Sequence, residues 1–330
     1  MFPFFVFWVK PMTMADKGSF KQRYTIAFYN LENFFDTHDD PTKLDDDFTP
    51  KGPKKWTEKR FKKKRKKLAK VISEIGLEHS AYPPVLVGVA EVENSKVLES
   101  LLDDKALEDI DYGFVHFDSQ DERGIDTALL YHKKHFKVDS AETVEVVVEN
   151  ESGERDWTRD ILYVQGRLNG EQVQVFVNHW PSRRDGAELS SPKRERAAQT
   201  ILQKIRTSDN GGDNCIIMGD FNDDPNSKSI RMLMDSGHFI NPMKKLLSWD
   251  KGSANYKGKW SLFDQVIISH TFLNHEPNTH MFKKAGIFSP KLVKEWKGKY
   301  KGNPFRTYVG KKYLGGYSDH FPVYVIFEKK

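Results

Sequence analysis

Asn214-Cys215-Ile216-Ile217-Met218-Gly219-Asp220-Phe221-Asn222 is a short apolar run that halts on a glycine and then presents an acid and an amide. Such a run, bounded by polar residues, reads as a buried strand, with Asp220 and Asn222 held at its end. Other apolar, strand-like runs deliver polar groups in the same way: Asn30 in Tyr-Asn-Leu-Glu, Glu91 in Ala-Glu-Val-Glu-Asn, His179 in Asn-His-Trp-Pro, Asp264 in Phe-Asp-Gln-Val, and Asp319 and His320 in Ser-Asp-His. In sheet proteins with helices on their faces, ligands gather at strand ends, where loops carry side chains into a cleft.

Strands are expected near 24–30, 85–90, 114–117, 127–131, 142–148, 161–168, 172–178, 215–218, 262–268 and 322–327, many with alternating apolar and polar residues. Helices are expected near 57–75, 96–102, 192–206 and 227–235. In the first, Leu68, Val71, Ile72 and Ile75 share one face, Thr57 can cap the start and Gly76 can end it. Strands outnumber helices and often follow one another directly. That order fits an α/β fold of two mixed sheets packed face to face with helices outside.

The collected residues suit metal-assisted phosphodiester hydrolysis. A hard cation such as Mg²⁺ takes one or two carboxylates plus waters and substrate oxygens, a shell that Glu91, Asp319 and Asn30 can supply. The reaction also needs a carboxylate near the attacking water, neutral donors on phosphate oxygens and a group to protonate the departing oxygen. Asp220, Asn222, His179 and His320 match those needs.

Gly219-Asp220-Phe221-Asn222, Ser318-Asp319-His320, the early Asn30 and Glu91 resemble, in order and spacing, the motifs of the endonuclease/exonuclease/phosphatase superfamily, from about Tyr24 to Phe327. The resemblance implies a four-layer α/β sandwich and divalent-metal-dependent cleavage by direct attack of water, without a covalent intermediate. It implies metal contact at Asn30 and Glu91, with Asp319 a ligand or water-mediated contact and Glu32 a further acidic ligand. Mg²⁺ is the expected ion, with Mn²⁺ or Ca²⁺ as alternatives. Asp220 would orient or deprotonate the water, Asn222 would hold that water or a phosphate oxygen, and His320 would contact phosphate with Asp264 fixing its ring. His179 would be an acid on the leaving-group side. The Trp-Cys-Asp-Arg signature of inositol-polyphosphate 5-phosphatases is replaced by Trp260-Ser261-Leu262-Phe263-Asp264. His179 also favours a general phosphodiesterase over a dedicated abasic-site enzyme.

The chain has 330 residues and a formal net charge of +5, but the charge is uneven. Residues 51–70 carry 12 Lys or Arg against Glu58 alone, and residues 283–313 carry 10 against Glu295. Two basic zones on an otherwise acidic body suit a polyanion, so nucleic acid is the expected substrate, with a phospholipid or small-molecule diester, or an inactive nucleic-acid-binding scaffold, as alternatives. Lys297, Lys299 and Lys301 lie among Trp296, Tyr300, Phe305, Tyr308 and Tyr313, a mixture suited to bases and phosphates. The run Lys62 to Lys67 reads equally well as the solvated side of a helix. Arg123, Arg183 and Arg184 are further candidates for phosphate contact, with surface salt bridging as the alternative for each, and Asp126 is either an orienting group or a turn carboxylate.

The expected divisions of the chain follow from the spread of these residues: one domain over 21–330, because any split would divide the site, and an N-terminal extension over 1–20. Phe2 to Val9 is apolar but too short to span a bilayer, and Pro11 stops it. The lone Cys215 cannot form an internal disulfide, which permits a reducing compartment without excluding export. A monomer is the simplest expectation.

Overall fold

A computed structural model describes residues 20, 22–150, 152–183, 186–208 and 210–329. The expected extension, apart from Phe20, and Arg184 lie outside the described residues. Twelve strands form two six-stranded sheets. The first contains β1 (Arg23–Phe34), β2 (Leu86–Val92), β3 (Tyr112–His116), β4 (Asp126–His132), β11 (His280–Ile287) and β12 (Val323–Lys329), in the order β11-β12-β1-β2-β4-β3. The second contains β5 (Phe136–Val144), β6 (Ile161–Leu168), β7 (Glu171–His179), β8 (Cys215–Asp220), β9 (Phe239–Ile240) and β10 (Asp264–Ser269), in the order β9-β10-β8-β7-β6-β5.

Each sheet has one parallel pair, β1 with β2 and β7 with β8, and all its other pairings are antiparallel. A parallel pair needs a crossover, and the helices α1 (Glu58–Glu74) and α3 (Ser191–Thr207) lie within those two connections. The remaining helices are α2 (Ser95–Leu102) and α4 (Lys228–Asp235).

Period-two alternation separates three cores. On β1, Ile26 and Phe28 face the other sheet and meet Val175, Val177, Ile216 and Met218 in one buried cluster. Ala27, Tyr29 and Leu31 belong to the cluster that includes Leu68, Val71 and Ile72 of α1 and Val97, Leu98 and Leu101 of α2. Beyond the second sheet, Phe176, Ile217 and Ile267 pack with Ala197, Ile201 and Ile205 of α3 and Leu233 of α4. Three cores between helix, sheet, sheet and helix make the four-layer sandwich.

Several local expectations change. The strand expected at 142–148 is β5, ending at Val144, and its exposed residues mark it as a sheet edge. β11 was not foreseen, because Phe282-Lys283-Lys284-Ala285 reads as part of a basic loop, and lysines are common on edge strands. Thr57 makes no side-chain cap on α1, although Gly76 with φ +78° follows its end as expected. Lys64 is the main departure from a solvated basic face, since it is buried among Phe61, Leu68, Ala69, Val71 and Ile72.

Candidate active site

The two parallel pairs place their C-terminal ends at the site. Asn30 is registered with Ala90, the residue before Glu91, while Asp220 is registered with both His179 and Asp264. Gly219 permits this arrangement, because a Cβ there would lie 2.4 Å from the Asn178 carbonyl oxygen. The β2 pairing shifts between Ala90 and Val92, where Glu91 takes φ +60°, so the bulge re-aims its carboxylate. Glu32, Asn33 and Asn222 also have positive φ, at 53°, 51° and 49°. Such backbone persists where the surroundings over-determine it, and here four strained residues meet at one edge.

Asn30 joins the two sheets. Its Nδ2 donates to Glu91 Oε1 at 3.3 Å and to Asp220 Oδ2 at 3.0 Å, while its Oδ1 accepts the Glu32 N–H at 2.9 Å. Glu91 Oε2 accepts the Asn33 N–H at 2.8 Å. Asp220 Oδ1 accepts the Asn222 N–H at 3.0 Å, and the Asn222 amide donates to the Trp180 carbonyl at 3.0 Å. Ser318 Oγ donates to the Asn30 carbonyl at 2.7 Å and accepts the His320 N–H at 3.0 Å, tying the segment before β12 to β1.

His320 Nδ1 bonds to Asp264 Oδ2 at 2.7 Å, leaving Nε2 3.9 Å from Asp220 Oδ2 and 4.0 Å from Asp319 Oδ1. Burial disfavours the imidazolium, but Asp264, Asp220 and Asp319 outweigh it and hold the His320 pKa well above the ordinary value. His179 Nε2 lies 3.8 Å from Asp220 Oδ2 and 3.9 Å from Glu91 Oε1. There burial, Arg159, Arg123 and His320 hold the ring well below its usual pKa, so it is neutral. Burial drives Asp220 up to about 6, with His320 opposing and Asp264 adding to the rise.

A second polar network lies under the segment preceding β12. Lys64 Nζ donates to the Glu32 carbonyl and to Thr307 Oγ1, at 2.5 and 2.7 Å. Glu32 Oε2 accepts the Thr307 N–H at 2.6 Å, and Arg306 Nη2 donates to Asp319 Oδ2 at 2.5 Å with its Nε 3.8 Å from Glu32 Oε1. Burial and Asp319 push Glu32 up to about 7 against the pull of Lys64. Burial opposes ionisation of Asp319, yet His320, Arg306 and Lys64 lower its pKa.

All eight strand-end residues thus meet in one connected region. Glu32 adjoins it, with its carboxylate engaged by Thr307, Lys64 and Arg306. Arg183 donates to the Asn222 carbonyl at 2.6 Å and to Asp223 Oδ1 at 2.7 Å, and Arg123 donates to Asn33 Oδ1 at 3.0 Å. Lys297, Lys299 and Lys301 are exposed, with Lys297 over the Trp296 ring and Lys299 over Tyr300. Asp126 accepts the Ser119 N–H and bonds to His116, an anchoring role.

Sequence reading missed Lys64, Arg159 and Arg306. Lys64 was legible from its spacing, three after Phe61 and four before Leu68. Arg159, which donates to Asp121 Oδ2 at 3.0 Å and the Trp180 carbonyl at 2.9 Å, gave no local signal. Arg306 lay unremarked in the second basic zone.

The donor set fits a hard cation. Glu91 and Asp319 offer carboxylate oxygens with side chains 15% and 31% exposed, whereas Asp220 and Asp264 are 3% and 0% exposed. Oxygen ligands reachable from solvent leave room for waters and substrate, as Mg²⁺ requires. Asp220, Asp264 and His320 also lie close enough to hold an ion, but the His320–Asp264 hydrogen bond occupies their facing atoms.

Fold and site together define a phosphoesterase of the α/β sandwich type. Residues 25–329 match the Endonuclease/Exonuclease/phosphatase family, and the chain belongs to it. No curated protein matches the sequence significantly. Among solved structures, an endonuclease/exonuclease/phosphatase family protein from Bacteroides thetaiotaomicron is 17% identical, with 93% of this chain and 95% of that one covered at a TM-score of 0.58. The mannosyl-6-phosphatase Bt3783 of Bacteroides thetaiotaomicron is 16% identical, with 92% and 99% covered and a TM-score of 0.58. D. rerio TDP2 complexed with single strand DNA product is 16% identical, with 94% and 100% covered and a TM-score of 0.52. At these identities the likeness shows the fold.

Proposed function

We propose that this protein is a divalent-metal-dependent phosphodiesterase that cleaves nucleic acid. The observation that carries the chemistry is the sharing of Asp220 between two differently charged histidines, beside the accessible carboxylates of Glu91 and Asp319. Glu91 and Asp319 would hold the cation, which when bound neutralises charge on the phosphate. Asn30 orients the carboxylates of Glu91 and Asp220, and Glu32 seats Arg306.

Asp220 accepts a proton from the attacking water, a task suited to a carboxylate whose pKa of about 6 lies near neutrality. Asn222 fixes the Asp220 carboxylate through its backbone N–H. His320, charged and oriented by Asp264, contacts phosphate and is the better proton donor toward the departing oxygen. His179, neutral, is left a hydrogen-bonding part. Nucleic acid is favoured by the two basic zones and by the neighbouring TDP2 structure that contains a single strand DNA product.

Purified protein should hydrolyse DNA or RNA with Mg²⁺ or Mn²⁺ and lose that activity with chelator, restored by added metal. Exclusive turnover of lipid or sugar phosphates would replace the substrate reading, and full activity in chelator would remove the metal-dependent one.

A further inference from the structure

The short hairpin Ala254–Tyr256/Lys259–Ser261 grows directly out of the catalytic edge. Ala254 forms a backbone bridge with His320, the Phe321 N–H donates to the Ser253 carbonyl at 2.7 Å, and the Asp264 N–H donates to Ser253 Oγ at 3.1 Å. The base of the hairpin is therefore registered to both members of the His320–Asp264 pair. Its tip is a two-residue turn with φ +51° at Lys257 and +86° at Gly258, closed by the Gly258 N–H on Asn255 Oδ1 at 3.1 Å. Positive φ at both turn positions matches the natural twist of a hairpin.

Alternation assigns the two faces. Asn255 is paired with Trp260, whose ring stacks on Phe321 at 5.9 Å between centroids. Tyr256 and Lys259 pair on the opposite face and, together with Asn255, line a cleft of about 530 Å³ that also includes Asn222, Asp319 and His320. Tyr256 is 73% exposed with the Lys257 ammonium 5.2 Å from its ring centre, whereas Trp260 packs on Phe321. Phe263 also lines this cleft, with the Arg183 guanidinium over its ring at 4.7 Å. Aromatic faces beside cations, adjoining a phosphate-cleaving centre, match the surfaces that take unstacked bases and their flanking phosphates.

We propose that Tyr256 and Lys259, with Phe263 and Arg183 of the same cleft, form a subsite for one unpaired nucleotide of a single-stranded polynucleotide next to the phosphate being cut. This deepens the nuclease reading and rests on it. Tyr256 stacks on the base, and Lys259 meets a flanking phosphate. A paired base buries its faces against its neighbours in the duplex, so the subsite selects single strands or frayed ends.

The test compares wild type, Tyr256→Ala, Tyr256→Trp and Lys259→Met on a single-stranded oligonucleotide, its duplex and bis(p-nitrophenyl) phosphate. Wild type should prefer the single strand. Tyr256→Ala should lower kcat/KM for the oligonucleotide relative to the small diester by about tenfold, the scale of one base–aromatic stack, and Tyr256→Trp should restore the ratio. Lys259→Met should reduce the slope of log affinity against log salt by about 0.7. An oligonucleotide-to-diester ratio unchanged in Tyr256→Ala, or an equal loss on both substrates, overturns the subsite while leaving the nuclease reading intact. A wild type that cuts no polynucleotide but turns over other diesters overturns both.

Discussion

His179 and His320 stand almost equally far from Asp220, with Nε2 at 3.8 and 3.9 Å from the same carboxylate oxygen, yet their surroundings drive them to opposite charge states. Both rings are desolvated. His320 has Asp264 on its other nitrogen, whereas His179 Nδ1 has no hydrogen-bond partner among the described residues and Arg123 and Arg159 lie nearby. Proximity to one acid therefore does not decide the charge of an imidazole. What decides it is burial set against the surrounding charge: at His320 the Asp264 carboxylate on the other nitrogen, with Asp220 and Asp319, outweighs burial, whereas at His179 burial is the largest effect and the charge of Arg159 and Arg123 reinforces it.

The sharpest way to break this contrast is to remove its shared element. Asp220→Asn should lower kcat by about 10² to 10⁴, the usual contribution of a general base, while leaving Mg²⁺ binding measurable by calorimetry. In the wild type, kcat/KM should climb with pH through about 6 as Asp220 ionises, because only the carboxylate can take a proton. Near-wild-type turnover in Asp220→Asn removes Asp220 from the mechanism.

Leaving-group chemistry distinguishes the histidines next. A nitrophenyl ester departs without protonation, so a variant lacking the proton donor should recover much of its lost rate on it. The charge states predict recovery for His320→Ala and little for His179→Ala. The reverse pattern would make His179 the acid, reprotonated when phosphate binds.

A smaller effect isolates the far-side carboxylate. Asp264→Ala should imitate part of the His320→Ala defect, and a double-mutant cycle should show coupling above about 0.5 kcal/mol. Strict additivity would mean that Asp264 does not act through His320. The smallest effect is expected at the exposed loop. Neutralising Lys297, Lys299 and Lys301 together should shift the polynucleotide salt slope by less than about one unit, because these side chains lie outside the cleft lining and their basic zone attracts the polyanion at a distance rather than by phosphate contact. A shift near two units, about 0.7 for each lost single-strand contact, would extend the substrate path across that loop.

Local pattern made much of the fold and site legible. Ile216 to Met218 could only be a buried run, and the polar groups following it and its counterparts had to emerge at strand ends. The same reading failed where local and tertiary signals diverged. β11 carries Lys283 and Lys284 on a sheet edge, so its composition resembled a loop, and Lys64 was hidden within a run of cations although its spacing placed it on the apolar face.

By itself, the sequence determined which acids, amides and imidazoles would stand at strand ends, and, through alternation, that two sheets would bury a common face. Those are consequences of neighbouring residues and a fixed side-chain period. Only the tertiary structure decided that His320 would be charged and His179 neutral, that Arg306 would bridge Asp319 and Glu32, and that Tyr256 would line the cleft beside His320. Electrostatic interactions and burial depend on distances between groups far apart along the chain, and folding sets those distances.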